Sequence, residues 1–201
     1  MGKIHPGATL TPHFRDFLPA WLVGQPWYFG TGALAVRPVG YFRFEDPAGE
    51  VGMETHLVEN DGVLYQVPMT YRDAPLPTAG TQALITTAEH SVLGTRYIYD
   101  GQADPLYLEQ LLQIVDTNGV SDPSLKRGAG PAEARGVRHA TRPRVNDRVR
   151  VELVRVLTPS APPPDDVDVA GLLIGIWHPD PDSSATATGC LAVVRTARET
   201  A

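Results

Sequence analysis

The shortness of its connections constrains this chain more than any other feature. "VGYFRFE" (residues 39–45), "VGMETHLV" (51–58) and "VLYQVPMTYR" (63–72) are strand-like runs separated only by "DPAG" at Asp46–Gly49 and "ENDG" near Asn60–Gly62. Parallel strands need a crossover of about a dozen residues or more, so links this short predict an antiparallel meander. Phe42 and Phe44 alternate with Arg43 and Glu45, and Val63, Tyr65, Val67, Met69 and Tyr71 fall on one face of their strand. Pro68 has no ladder donor and predicts an edge or a bulge. "TQALITTAE" (81–89) and "GTRYIYD" (94–100) form a further hairpin with its tip near His90–Gly94.

Two segments read as helices. In "TPHFRDFLPAWLV" (11–23), Phe14, Phe17, Leu18, Trp21 and Leu22 recur at helical spacing. Thr11 is the expected N-cap with Pro12 at the first helical position, and Pro19 is expected to end or kink the helix. "DPLYLEQLLQIVD" (104–116) has Asp104 as N-cap, Pro105 in the first turn, and a stripe of Leu108, Leu111, Leu112 and Val115, closed by Asn118-Gly119. Residues 119–136 read as an exposed loop. Three more strand-like runs come after it: "DRVRVELVRVL", whose alternation slips near Val154 and predicts a bulge, the doubly apolar and therefore central "VAGLLIGIWH", and "GCLAVVRT". The expected class is α+β: a curved antiparallel β-sheet packed by one or two helices, with additional C-terminal antiparallel strands.

The net charge of -6 argues against a dedicated nucleic-acid binder. Cys190 is a lone thiol in an apolar run and reads as a small buried hydrophobe. The start of the chain lacks a signal-type apolar core, and no run approaches membrane-spanning length, so a cytoplasmic protein with no membrane partner is expected. Abundant Ala, Gly, Pro and Arg suggest a GC-rich bacterial source.

The candidate chemistry is sparse. Gly30-Thr31-Gly32-Ala33-Leu34-Ala35 precedes a meander, not a βαβ unit, so a dinucleotide site is not expected. "GAGPAEARG" lacks the Lys-Ser/Thr of a P-loop. His178, Asp180 and Asp182 have ligand chemistry, but Pro179 and Pro181 place them in a turn; no metal and no cofactor are expected. Glu54 with His56, Glu89 with His90, and Asp73 and Asp100 could supply an acid–base pair, against the alternative of an exposed polar face. Arg135, Arg138, Arg142, Arg144 and Arg148, flanked by Lys126, Arg127 and Arg150, make a local basic patch. It suits a phosphate-bearing or acidic partner, or a solvated face equally.

"WLVGQPWYFG", "YQVPMTYRDAPLP" and "EHSVLGTRYIYDGQADPLYLEQLL" occur in that order over about residues 12–116. Together they resemble the N-terminal cap domain of bacterial maltokinases, which phosphorylate maltose on the trehalose-to-glucan route. The resemblance implies a cystatin-like curved sheet with a packed helix, over residues 1–118. Residues 119–144 then form an exposed basic linker, and 145–201 carry C-terminal strands extending the same sheet. It also implies that phosphotransfer groups lie outside the cap. The chain beyond residue 116 lacks a nucleotide-covering loop, a paired Lys and Glu, and metal-binding carboxylates, so kinase activity is not expected. The basic residue usual after the Trp-aromatic-Gly motif is Thr31 here, which weakens transfer of that turn's role. The reading is a non-catalytic interaction or regulatory module with a protein partner, a kinase or a glucan-metabolism enzyme. Its binding surface would comprise Trp27, Tyr28, Tyr71, Arg72, Asp73, Glu89 and His90. The alternatives are a sugar or phosphosugar binder using the concave sheet face, lined by Tyr65, Met69, Tyr71 and Trp177, and a small enzyme with a Glu/His pair.

Overall fold

A computed structural model describes residues 5, 7–30, 35–123, 130–139, 149–180, 182 and 184–196. The chain enters through a short strand β1 (Leu10–Thr11) and the helix α1 (Phe14–Val23). The helix is capped by His13, not Thr11. The His13 ring accepts from the Arg15 N–H at 3.3 Å, and the Asp16 carboxylate accepts from the His13 N–H at 2.9 Å. Thr11 is unavailable because it pairs with Glu89 in the sheet. Pro19 neither ends nor divides the helix: buried Leu18 and Leu22 on either side of it hold the run against the sheet despite the lost donor.

The meander is as expected: β2 (Arg37–Phe44), β3 (Gly52–Asn60) and β4 (Val63–Arg72), then β5 (Leu84–His90) and β6 (Gly94–Asp100). Asp46 closes the first turn by accepting the N–H groups of Ala48, Glu50 and Val51 at 2.8–2.9 Å. Asp61 and Gly62, with φ of 51° and 74°, supply the doubly left-handed turn that suits a two-residue hairpin. Helix α2 (Pro105–Asp116) comes next, then β7 (Asp122–Pro123), β8 (Gly130–Arg138), β9 (Val149–Leu153), β10 (Val156–Leu157), β11 (Val169–Trp177) and β12 (Ala187–Thr196). A strand therefore occupies residues 130–138, where the sequence suggested loop; its Ala132 and Ala134 are buried. Small residues hid the signal, since two alanines carry little apolar periodicity.

The sheet order is β1-β5-β6-β4-β3-β2-β8-β11-β12-β9, with β7 on β2 and β10 on β4. Among the described residues every strand pairing is antiparallel except β2 with β8, which run parallel at Gly40–Tyr41 against Gly130–Pro131. β11 is central, between β8 and β12, as its doubly apolar sequence requires. The slip at Val154 is more than a bulge. There the chain leaves β12, which β9 pairs, and joins β4 as β10, so the curved sheet comes back upon itself. Gln66 on β4 ties this return: its side-chain amide donates to the carbonyls of Val154, at 2.6 Å, and Leu191.

Pro68 lies in an interior strand, correcting the edge assignment. The Gln66 N–H faces β10, donating to the Arg155 carbonyl at 3.0 Å. Strand alternation points the Pro68 nitrogen the same way, past the end of β10 and just before β6 begins its pairing at Met69. The missing donor falls in a gap between two partners.

Each face of the meander has its own core. Phe17, Leu18 and Leu22 of α1 pack on Val58, Tyr65, Val67, Met69 and Ile98. On the opposite face Tyr107, Leu111 and Val115 of α2 pack among Phe42, Phe44, Met53 and Leu57, together with Leu173, Trp177 and Leu191 of the C-terminal strands. Two glycines permit the close seat of α2: a Cβ on Gly136 would lie 2.0 Å from the Ile114 carbonyl oxygen, and one on Gly171 2.5 Å from Val115. Among the described residues no helix is long and apolar enough to cross a membrane.

Candidate functional site: a polar pocket beside the first helix

The registers decide which side chains share the α1 face. Tyr41 lies opposite His56, Arg43 opposite Glu54, Gly52 opposite Tyr71, and Tyr71 opposite Ile98; Arg96 and His90 lie two residues along from Ile98 and Ala88. Helix α1 covers the apolar part of this face. The polar part is left over a cavity of about 550 Å³, walled by the segment around Ala8–Leu10, His13 and Phe14 at the start of α1, and Leu93 at the hairpin tip. That volume falls within the usual range of small-molecule sites, about 300–1,000 Å³. The α1 face is thus partly plugged and partly open.

Glu54 is the hub. Its Oε2 lies 3.1 Å from His56 Nε2 and accepts from the Tyr71 hydroxyl at 3.3 Å. Burial, then the Glu54 charge and hydrogen bond, hold the Tyr71 hydroxyl well above its ordinary value, so it stays protonated and donates. His56 is buried beneath Tyr41, whose ring stacks on it at 5.5 Å, and beside Phe14 at 4.8 Å. Glu54 therefore lines the cavity while His56 positions it from behind. The ring of Tyr71 lies over Gly52, where a Cβ would make ordinary contact at 3.5 Å. The Arg43 Nε is buried without a hydrogen-bond partner among the described residues.

At the hairpin end, His90 Nδ1 accepts from the Val92 and Leu93 N–H groups at 3.2 and 3.1 Å. This fixes the neutral tautomer with its proton on Nε2. Burial, then the charges of His5 and Arg96, lower the His90 pKa. The His5 ring stands edge-on to His90 at 5.8 Å.

The expected binding surface divides into four places. Tyr71 and His90 line the pocket. Arg72, on the opposite face, forms a fork with Asp104, both bonds 2.7 Å, while Asp73 is exposed in the following turn. Glu89 is exposed and accepts from the Thr95 hydroxyl at 2.5 Å, so it does not join His90 as an acid–base pair. Trp27 and Tyr28 sit by the far end of α1: the Arg155 guanidinium lies 5.1 Å over the Trp27 ring, and Tyr28 accepts from Asn60 at 3.0 Å. Of the expected concave-face set, Tyr71 alone lines this cavity. Tyr65 and Met69 are core beneath α1, and Trp177 belongs to the core on the other face.

In the basic segment, Arg135 pairs with Glu133 at 2.6 Å and Arg138 with Asp116 at 3.4 Å, while Arg142, Arg144 and Arg148 lie outside the described residues. Thr31 and most of the Gly30–Ala35 stretch do so as well. Asp180 accepts from the Asp182 N–H at 2.9 Å in a turn, and no cluster suited to a metal occurs among the described residues. Burial pushes the Cys190 thiol up to about 11, consistent with an inert side chain. Sequence reasoning missed Arg43, Arg96 and Gly52 as pocket residues. The alternation of β2 shows Arg43 facing Tyr41's side, but only the cross-strand register brings it to Glu54.

Residues 21–104 match the family model of the maltokinase N-terminal cap domain. The match holds the strand residues of the pocket, from Tyr41 to Arg96. It leaves out the wall from His5 to Phe14 and all of the C-terminal strands. No curated protein matches the chain.

Proposed function

We propose that the chain is a non-catalytic cap-type module of maltose, trehalose or glucan metabolism that binds a small polar solute in the pocket beside α1. The observation that carries this reading is the open cavity with Arg43, Glu54, Tyr71, His90 and Arg96 around it, on a face otherwise sealed by a helix. Few convergent polar groups over aromatic walls suit a ligand with several hydroxyls. The metabolic setting comes from the match over residues 21–104. A cap domain is by name one part of a longer protein, and this favours a second role: docking to a kinase or glucan enzyme through surfaces away from the pocket.

The test is a thermal-shift panel of maltose, trehalose and their phosphates on the full chain. A ligand at a hundredfold excess over its Kd stabilises by about 2.7 kcal/mol. Gly52→Leu, which fills the pocket floor, should abolish the shift, and Tyr71→Phe should reduce it. A panel without any shift, or a shift that Gly52→Leu leaves intact in a folded protein, would overturn the reading.

A further inference from the structure

The pocket's polar groups fall into two sets, and the division points to a ligand class. This inference rests on the solute-binding reading above. The first set, on β2–β4, is charge-balanced: Glu54 lies opposite Arg43, and Tyr71 donates to Glu54. A hydroxyl-bearing ligand finds both a donor and an acceptor there.

The second set, at the β5–β6 hairpin, is not balanced. Burial and the charges of His5 and Arg96 act on His90. Glu89 is exposed and bonded to Thr95, and Glu50, the pocket's other carboxylate, is exposed. The tautomer of His90 leaves Nε2–H as its donor. The Arg96 Nε is buried without a hydrogen-bond partner among the described residues, although its Nη2 reaches the Leu93 carbonyl at 2.5 Å. A buried, unsatisfied guanidinium N–H beside a neutral imidazole N–H is a site that an anion would complete. Only β4 lies between β3, which bears Glu54, and β6, which bears Arg96. Tyr71 on β4 lies opposite Ile98, one strand spacing across and two residues along from Arg96, so about 8 Å separates these two positions, the span of one sugar ring with a substituent.

We propose that the pocket takes a small polyhydroxylated solute carrying one anionic group, with the anion on Arg96 and His90 and the hydroxyls on Glu54 and Tyr71. Phosphate and carboxylate share the required chemistry, so the test uses both. Isothermal titration of the full chain compares glucose 1-phosphate, glucuronate, glucose and inorganic phosphate. At least one charged sugar should bind tenfold or more tighter than glucose, and which one does so identifies the anion. Arg96→Gln should erase that advantage by weakening the charged sugar tenfold or more relative to its effect on glucose. Should Arg96→Gln unfold, Arg96→Lys keeps the charge without the planar fork and should weaken the charged sugar severalfold. Glucose binding as tightly as both charged sugars overturns the anion site but leaves the pocket reading standing. Inorganic phosphate binding as tightly as glucose 1-phosphate overturns the hydroxyl half. Absence of binding by every sugar overturns both readings.

Discussion

Asp104→Ala should be among the most damaging single substitutions in this chain. The Asp104 carboxylate is fully buried and does two jobs. It caps α2 by accepting the Leu106 N–H at 3.0 Å, and it receives the forked Arg72 guanidinium through two bonds of 2.7 Å. Removing one partner of a buried pair costs about 3–5 kcal/mol, and an N-cap is worth about 1 kcal/mol. The two do not simply add, because one side chain serves both. Arg72 retains 22% exposure and can recover some solvation, so the lower end, about 3 kcal/mol, is expected. In a chain of this size that lowers Tm by on the order of 10 °C. Urea denaturation of the wild type, Asp104→Ala, Arg72→Met and the double variant measures the loss and the coupling. Asp104→Asn, which keeps an acceptor for the cap, should lose less than Asp104→Ala. A loss below about 1 kcal/mol with no coupling would refute the claim that this fork fastens α2 to the meander.

Burial works to raise the Asp104 pKa, but the Arg72 hydrogen bonds prevail and the net shift is downward. Its contribution is therefore complete above the unfolded value of about 4 and fades as pH falls through the lower folded value; the stability gap between wild type and Asp104→Ala should narrow on acidification below about pH 4. Gly136→Ala should destabilise by at least about 1–3 kcal/mol in urea, because its Cβ would meet the Ile114 carbonyl at 2.0 Å and backbone atoms yield poorly. Arg155→Met should release the end of β10 from the meander, since Arg155 reaches Asp100 at 2.5 Å and Gln102 at 2.8 Å; faster amide exchange at Gln66, whose N–H bonds the Arg155 carbonyl, would report it.

The meander was legible because its turns carry their own chemistry. Asp46 and the Asp61-Gly62 pair announce reversals without reference to the rest of the molecule. The second helix was legible for the same reason, in Asp104-Pro105 and the Leu111–Val115 stripe. The features that stayed hidden are decisions made by distant partners. Thr11 is a good cap by composition, yet pairing with Glu89 commits it to a strand and passes the cap to His13. The strand at Gly130–Arg138 is specified by small residues that fit beneath α2, and smallness leaves no periodic mark. The site obeys the same rule. Tyr71 and His90 stood out as aromatic and polar residues near turns, but so did Arg72 and Glu89, which face elsewhere. One position of strand alternation separates a pocket residue from a structural one, and the register that sets it is a property of the pair of strands.

The central claim is that the open end of the α1 face receives a small hydroxylated ligand. It is tested most directly by an amide chemical-shift map of the labelled full chain during titration with trehalose and with glucose 1-phosphate. Saturable movement concentrated at Gly52, Glu54, Tyr71 and Leu93–Arg96 is the result expected. Movement centred on Trp27 and Tyr28, or spectra that stay unchanged at millimolar ligand, would contradict it.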